Sequence, residues 1–331
     1  MFKWTKRIAL GVIALTGVVI VSGIAFEQWS RWSVSRDYKP IGRLIEVDGG
    51  KMHLNCSGTG APTVVFESGQ GEGSTSWMDV QPEIAKTNRV CSYDRAGLLW
   101  SDGRNEPVTA AGTVARLHSL LAIASEAPPY VVVGHSLGGS LVRVFVGHYP
   151  KDVVGIVLVD SSHPDQLGRF PPEINKLGNI QKLNRALYSF KAATGFMRLS
   201  QSDESEEIAY EILAERKHLP QSMPGVFAEM DASDQIHADA GQTTTFGDLP
   251  LIVLTAGKMP KGLPPEITPE ILSQFVKISS EMQIELVALS TRGEQRIIAD
   301  ASHYIHYQNP NAVIHAIRDV LTATQESGRP H

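Results

Sequence analysis

Short apolar runs alternate with longer mixed stretches along most of this chain. The short runs predict strands, because apolar and β-branched runs bounded by turn residues are typical of strands buried in a sheet. The longer stretches between them predict helices. The predicted strands span residues 43–47, 52–56, 63–67, 90–93, 131–133, 153–159, 251–255 and 296–298, and the predicted helices span 109–125, 137–148, 269–289 and 311–324. This order predicts an α/β fold with a mostly parallel, twisted sheet and helices on both faces.

One long segment interrupts the alternation. Residues 162–247 contain no convincing strand, and their pattern predicts helices broken at five prolines: Pro164, Pro171, Pro172, Pro220 and Pro224. A structureless loop of this length is uncommon in a compact domain, so we expect a helical cap over a site. The core is then residues 41–161 and 248–331. The first two strands flank Asp48-Gly49-Gly50, which is typical of a hairpin.

The N-terminus carries an uncharged run of 19 residues, from Ile8 to Phe26, behind Lys3, Lys6 and Arg7. A helix of that length spans about 28 Å, the thickness of the hydrocarbon core of a bilayer. Residues 1–40 are therefore predicted to hold a cytoplasmic stub, a transmembrane anchor at 8–26 and a linker. The basic flank places the N-terminus in the cytoplasm and the domain outside it. Secretion after signal cleavage is one alternative, although Val21-Ser22-Gly23 is a poor cleavage site, and a buried helix of the domain itself is another.

Composition narrows the class of protein. The chain has 331 residues, of which 42% are hydrophobic and 20% are charged, and these values exclude a disordered or fibrous protein. A net charge of −5 without basic blocks argues against nucleic acid as a partner. Two cysteines exclude a disulfide-rich scaffold and a four-cysteine zinc site. No nucleotide fingerprint or metal-ligand cluster is present in the sequence, so we expect neither cofactor nor metal.

A serine lies on a predicted sharp turn between a strand and a helix, in Gly134-His135-Ser136-Leu137-Gly138. Glycines two residues before and after the serine allow the chain to pass closely, and the helix N-terminus directs N–H groups toward the site. Ser136 is therefore the candidate nucleophile. A tight turn with Ser136 as a simple helix N-cap is the alternative.

With these residues in view, the sequence resembles the α/β-hydrolase superfamily over about residues 43–325. The resemblance also rests on Tyr93-Asp94-Arg95-Ala96-Gly97, on Val159-Asp160 and on Ala301-Ser302-His303. The order nucleophile, acid, histidine along the chain agrees with the family. Leu99 departs from the pattern, because relatives usually carry glycine there. The resemblance implies a serine hydrolase.

A serine hydroxyl needs a base, and the base needs an orienting acid. His303 is the candidate base because it follows the last predicted strand; His306 is its local rival. Asp160 is the candidate acid, since it ends the sixth strand. Glu266 is the alternative acid because it follows the seventh strand, the commonest position in the family. Asp300 is the least favoured carboxylate.

The resemblance also implies two oxyanion donors, the backbone N–H groups of Leu137 and Gln70. It makes the strands of Cys56 and Cys91 neighbours in the sheet, so a disulfide is expected outside the cytoplasm. The expected reaction is hydrolysis of a small-molecule carboxylic ester or other acyl substrate. Cleavage of amide or carbon–carbon bonds and acyl transfer use the same residues and stay open. A non-catalytic, membrane-anchored binding protein is the alternative from another class.

Overall fold

The structure, a computed structural model, describes residues 2–176, 184–199, 209–258 and 264–327. Its eight strands are β1 Arg43–Val47, β2 Gly50–Ser57, β3 Thr63–Glu67, β4 Val90–Tyr93, β5 Tyr130–His135, β6 Val153–Val159, β7 Leu251–Ala256 and β8 Gly293–Ile298. They form one sheet in the order β1-β2-β4-β3-β5-β6-β7-β8. Strand β2 is antiparallel to both of its neighbours, and the strands from β4 to β8 are parallel. The predicted α/β fold is confirmed.

Helices cover both faces of the sheet. The helices are α1 Phe2–Asp37, α2 Gln81–Ile84, α3 Ala110–Ile123, α4 Leu137–His148, α5 Gln166–Arg169, α6 Arg185–Ala193, α7 Phe196–Leu199, α8 Tyr210–Gly241, α9 Pro269–Val287, α10 Ile305–Gln308 and α11 Pro310–Ser327. One apolar layer joins α3, α4 and the end of α9 to the sheet, and a second joins α2, α10 and α11 to its other face. Because the strands run in parallel, their carboxyl ends lie at one shared edge of the sheet, which the helix layers on the two faces leave uncovered.

The N-terminal helix is longer than the predicted anchor. Helix α1 has 36 residues, about 54 Å, and continues to Asp37 through most of the predicted linker. Glu27 and Arg31 form an ion pair one turn apart, at 2.8 Å, which supports the helix where the apolar run ends. Within the described residues, α1 is the one helix long and apolar enough to cross a membrane.

Residues 162–247, hereafter the insertion, lie between β6 and β7. The expected breaks at Pro220 and Pro224 are wrong, because both prolines lie inside the single 32-residue helix α8. A proline inside a helix costs about 3 kcal/mol, so contacts elsewhere must compensate. The Ser222 hydroxyl accepts from the Leu99 N–H at 2.9 Å, and Ser222 is buried at 3% exposure. Tertiary contacts therefore override the local helix-breaking signal.

Leu99, the departure from the family pattern, lies at a φ of 42°, a conformation that favours glycine. Helix α8 holds it there from both sides. The Leu99 N–H donates to Ser222 Oγ at 2.9 Å, and Gln221 Nε2 donates to Leu99 O at 3.3 Å. The loop therefore keeps its glycine-like conformation with leucine in place, and the side chain is buried at 6% exposure.

Cys56 and Cys91 lie directly opposite each other on β2 and β4 and form a disulfide. The bond closes a loop with a sequence separation of 35 residues. We expect its reduction to lower the free energy of unfolding by about 4 kcal/mol, because the unfolded chain regains the entropy of that loop. Denaturant unfolding of the detergent-solubilised chain, with and without reductant, measures this loss. A Cys56→Ala, Cys91→Ala double variant is the control, and its stability should not respond to reductant.

Candidate active site

Ser136 lies between the end of β5 and the start of α4, with a φ of 52° and a ψ of −121°. This backbone conformation is strained for a residue with a side chain. Neighbouring glycines make the turn possible: a Cβ on Gly134 would lie 2.7 Å from Gly138 O, and one on Gly138 would lie 2.5 Å from Ser68 O. The turn therefore presents the serine at the carboxyl edge of the sheet and packs it against the loop after β3.

His303 and Asp160 lie beside this serine. His303 Nε2 is 3.0 Å from Ser136 Oγ, and His303 Nδ1 is 2.7 Å from Asp160 Oδ2. A carboxylate only accepts, so Nδ1 carries the proton and Nε2 is free to accept from the serine hydroxyl. The Ala256 N–H donates to Asp160 Oδ1 at 2.9 Å and fixes the carboxylate. The side chains of Ser136, His303 and Asp160 are thus linked by a continuous series of hydrogen bonds.

The other candidate acids lie elsewhere. Glu266 is an exposed residue just before α9, and Asp160 occupies the position at His303 Nδ1. Asp300 accepts hydrogen bonds from Asn309 Nδ2 at 3.0 and 3.2 Å. The structure therefore brings Asp160 to the histidine, and neither alternative reaches it.

The environment of His303 tunes its basicity. Partial removal from water lowers its pKa, but the hydrogen bond and negative charge of Asp160, with the charge of Glu72, outweigh this desolvation and raise the pKa above 6.5. The imidazole side chain is 42% exposed, so water or substrate can reach it. A base with a raised pKa gains driving force for taking the serine proton.

The loop after β3, residues 68–73, offers backbone N–H groups to the site. The Gly69 N–H donates to Glu72 Oε2 at 2.9 Å, and the Gly71 N–H donates to Glu229 Oε2 at 2.8 Å. Between them, the Gln70 N–H has no hydrogen-bond acceptor among the described residues, and neither has the Leu137 N–H at the start of α4. The two predicted oxyanion donors are therefore both unengaged.

A buried arginine holds this loop from behind. Arg95 Nη1 donates to Ser68 O at 2.7 Å, and Arg95 Nη2 donates to Gly69 O at 2.6 Å. In a trans peptide the carbonyl and the following N–H point in opposite directions, so the bond to Gly69 O turns the Gln70 N–H away from Arg95. Arg95 therefore sets the orientation of one predicted oxyanion donor.

Two buried carboxylates hold Arg95 in turn. Arg95 Nη1 lies 2.7 Å from Glu67 Oε1, and Arg95 Nε lies 2.6 Å from Glu229 Oε1; all three side chains are at most 5% exposed. Burial alone would lower the pKa of Arg95, but Glu229 and Glu67 raise it well above its ordinary value. Glu229 belongs to α8, so the insertion takes part in holding the loop. The sequence motif contains Arg95 without indicating its role, and no sequence signal indicates Glu229.

His135 and Glu72 form a second buried pair beneath the site. His135 Nε2 donates to the carbonyl oxygen of His303 at 3.0 Å, and His135 Nδ1 lies 3.0 Å from Glu72 Oε2. Burial alone would raise the pKa of Glu72, but the hydrogen bond and charge of His135 lower it to about 2. The pair therefore anchors the backbone that carries the candidate base. His135 is part of the sequence motif around Ser136, but the sequence does not indicate its contacts with Glu72 and the His303 carbonyl.

His306, the rival base, is fully buried, and burial lowers its pKa to about 3. Its ring lies 4.3 Å from that of His135, so the ligand atoms of Glu72, His135 and His306 come within 4.8 Å of one another. These donors suit a metal such as zinc by type. However, Glu72 and the His303 carbonyl already engage both nitrogens of His135. Glu72 and His135 therefore act as a hydrogen-bonded support for the site, and His306 packs its ring against that of His135.

Comparison with known proteins places the chain in a family. The family model described as "Alpha/beta hydrolase family" matches residues 64–316. The chain is 25% identical to Bacillus subtilis YqjL over 289 residues, which cover 87% of this chain and 95% of that protein. It is 24% identical to B. subtilis YbdG over 200 residues, 60% of each chain.

Solved structures share the fold at low sequence identity. Est816, described as an N-acyl homoserine lactone degrading enzyme, superposes with a TM-score of 0.59 at 20% identity and covers 84% of this chain and 99% of its own. A Pseudomonas aeruginosa protein described as an epoxide hydrolase gives a TM-score of 0.64 at 15% identity and covers 87% and 97%. With the family match over three quarters of its length, the chain belongs to the alpha/beta hydrolase family.

Proposed function

We propose that this protein is a serine hydrolase that cleaves carboxylic esters through an acyl-enzyme. The observation that carries the proposal is the hydrogen-bonded chain from Ser136 through His303 to Asp160, at 3.0 and 2.7 Å. Ser136 Oγ attacks the acyl carbon while His303 Nε2 takes its proton, and Asp160 stabilises the imidazolium. His303 then returns the proton to the leaving alcohol. Water, activated by the same histidine, hydrolyses the acyl-enzyme.

In this proposal, two backbone N–H groups stabilise the negatively charged oxygen of the tetrahedral intermediates. These are the unengaged N–H groups of Gln70, in the loop after β3, and of Leu137, next to Ser136 in the chain, which donate to the oxyanion. The reaction needs no cofactor. The N-acyl homoserine lactone that Est816 degrades contains a cyclic ester and an amide, and both are acyl bonds of the kind that the proposed chemistry can cleave. Epoxide hydrolysis on this fold uses an aspartate nucleophile, and the serine at position 136 argues against it.

We also propose the placement of the protein in the cell. Helix α1 anchors the chain in a membrane as a single span at residues 8–26, because its apolar run matches the bilayer core and its basic residues precede the run. The N-terminus is then cytoplasmic and the hydrolase domain is outside the cytoplasm. The Cys56–Cys91 disulfide supports an oxidising compartment. The insertion forms the cap over the site.

Active-site labelling tests the proposed chemistry. The full chain in detergent should react with a fluorophosphonate, and peptide mass spectrometry should place the label on Ser136. The matched Ser136→Ala chain should take no label. Wild-type turnover of p-nitrophenyl esters, compared with the matching p-nitroanilides, then separates ester from amide hydrolysis. A folded wild-type chain that takes no label contradicts the proposal and favours a binding role.

The pH dependence of kcat/KM follows from the raised pKa of His303. The base must be neutral to accept the serine proton, so activity falls as pH drops through that pKa. We expect the acid limb to have its midpoint above pH 6.5, the ordinary histidine value. Glu72→Gln should move the midpoint to lower pH, because the Glu72 charge helps to raise the pKa. Glu266→Gln is the control and should leave the limb in place. If the midpoint of the acid limb is unchanged in Glu72→Gln, the assignment of that limb to His303 is wrong.

A further inference from the structure

The insertion carries an apolar surface beside the N-terminal helix. We define the α6–α7 corner as residues 187–199. Large apolar side chains project from this corner into solvent, and Leu199 is 73% exposed. The exposed apolar and aromatic members of the corner are Leu187, Tyr188, Phe190, Phe196 and Leu199. Soluble proteins rarely expose so many large apolar side chains in one place. Such a surface indicates a site of contact with another molecule or with lipid.

Close backbone contacts attach the corner to α1. A Cβ at Gly23 would collide with Thr194 O, and one at Gly195 would lie 2.8 Å from Phe26 Cδ1. Glycine at both positions lets the helix and the corner approach closely. One turn further along, Arg198 Nε and Nη2 lie 2.6 and 3.0 Å from the fully buried Glu27 carboxylate. The corner is therefore fixed at one level along α1.

That level coincides with the end of the apolar run. Gly23 and Phe26 belong to the last turn of the uncharged run at residues 8–26. At about 1.5 Å per residue, the corner touches α1 within one helical turn of the point where the run ends. Trp29 and Trp32, 60% and 58% exposed, follow in the next turns. Tryptophan is enriched at the boundary between hydrocarbon and headgroups.

We propose that the α6–α7 corner is embedded in the lipid interface of the membrane that α1 spans. The proposal rests on the anchoring role proposed above for α1. Lipid is the occupant because the corner continues the apolar surface of the span at its boundary level. Lys191, whose ammonium lies 5.9 Å from the ring of Tyr188, can extend toward anionic headgroups from the same surface. The insertion, which also holds the loop after β3 through Glu229, is then in contact with the membrane surface.

Site-specific labelling of the full chain in phosphatidylcholine and phosphatidylglycerol vesicles tests this proposal. Both native cysteines are in the disulfide, so one introduced cysteine gives a single free thiol for an environment-sensitive fluorophore. Leu199→Cys and Phe190→Cys report on the corner. Leu10→Cys, in the proposed span, is the positive control. Ile123→Cys is the negative control, because Ile123 is 56% exposed where α3 ends, before the amino end of β5.

Lipids with doxyl groups on their acyl chains should quench the labels at positions 199 and 190 to an extent close to that at position 10. The label at position 123 should keep its emission. Quenching at position 10 alone overturns the lipid contact and leaves the anchor in place. No quenching at position 10 overturns the anchor and the contact together. Shielding at position 199 without lipid quenching, with energy transfer between chains, shows a second copy on the corner and also overturns the proposal.

Discussion

Asp160→Asn is expected to lower kcat for ester hydrolysis by about 10⁴-fold while the fold persists. The Ala256 N–H donates to Asp160 Oδ1, so the oxygen of an asparagine amide stays at that position. Its NH₂ group then faces His303 Nδ1, where the carboxylate oxygen was 2.7 Å away. This arrangement forces Nδ1 to accept and moves the imidazole proton to Nε2. The histidine can no longer accept the proton of Ser136, which removes general-base catalysis.

Glu266→Gln and Asp300→Asn are the matched controls for this variant, and each should keep kcat within about twofold of wild type, within the range of ordinary surface substitutions. Asparagine also tolerates the positive φ of 41° at position 160. Thermal unfolding should therefore shift little, and KM should stay near its wild-type value. If Glu266→Gln were the slow variant, the acid would belong to the loop after β7 and the proposed triad would be wrong.

Much of the site could be predicted because parallel strands end at one edge of a sheet. Ser136 follows β5, Asp160 ends β6 and His303 follows β8, so strand prediction alone places the three side chains at the same edge. The acid was the uncertain choice, because position in the chain allows both Asp160 and Glu266. Only the hydrogen bond at His303 Nδ1 distinguishes them.

Features that depend on tertiary contacts were not predictable from local pattern. The prolines at 220 and 224 indicated helix breaks, yet α8 packs along the core and stays continuous. The residues after 26 were predicted as a linker, yet Glu27 is buried against Arg198. In each case, a partner more than a hundred residues away offsets the local preference.

The ion-pair network of Arg95, Glu67 and Glu229 behind the loop after β3 could not be predicted for the same reason. Arg95 stood in a quoted motif, but its partner Glu229 lies 134 residues further along the chain. No spacing rule connects a strand-end arginine with a carboxylate in the middle of a long helix. A buried arginine can be expected to need carboxylates, although the sequence does not show which ones.

Glu229→Gln is expected to lower kcat by about 10²-fold, the lower end of the effect of losing one oxyanion donor. Glu229 is 3% exposed, and its carboxylate accepts from Arg95 Nε, from Arg95 Nη2 and from the Gly71 N–H. A glutamine amide has one acceptor oxygen, so its NH₂ group must face one of these donors. Arg95 and Gly71 then shift, and the peptide that carries the Gln70 N–H loses its fixed orientation.

Glu229 is a positioning residue in this account, so the decisive measurement compares transition-state binding with substrate binding. A boronic acid that forms a tetrahedral adduct on Ser136 should lose affinity in parallel with kcat, whereas KM should change by less than about threefold. Glu215→Gln is the control on the same helix, because Glu215 accepts from Thr75 Oγ1 at 2.7 Å and makes no hydrogen bond to the loop among the described residues. Assays well below the unfolding temperature separate this effect from lost stability. Equal losses of substrate and boronate affinity would mean that Glu229 only holds the fold, because a displaced oxyanion donor weakens the tetrahedral adduct selectively.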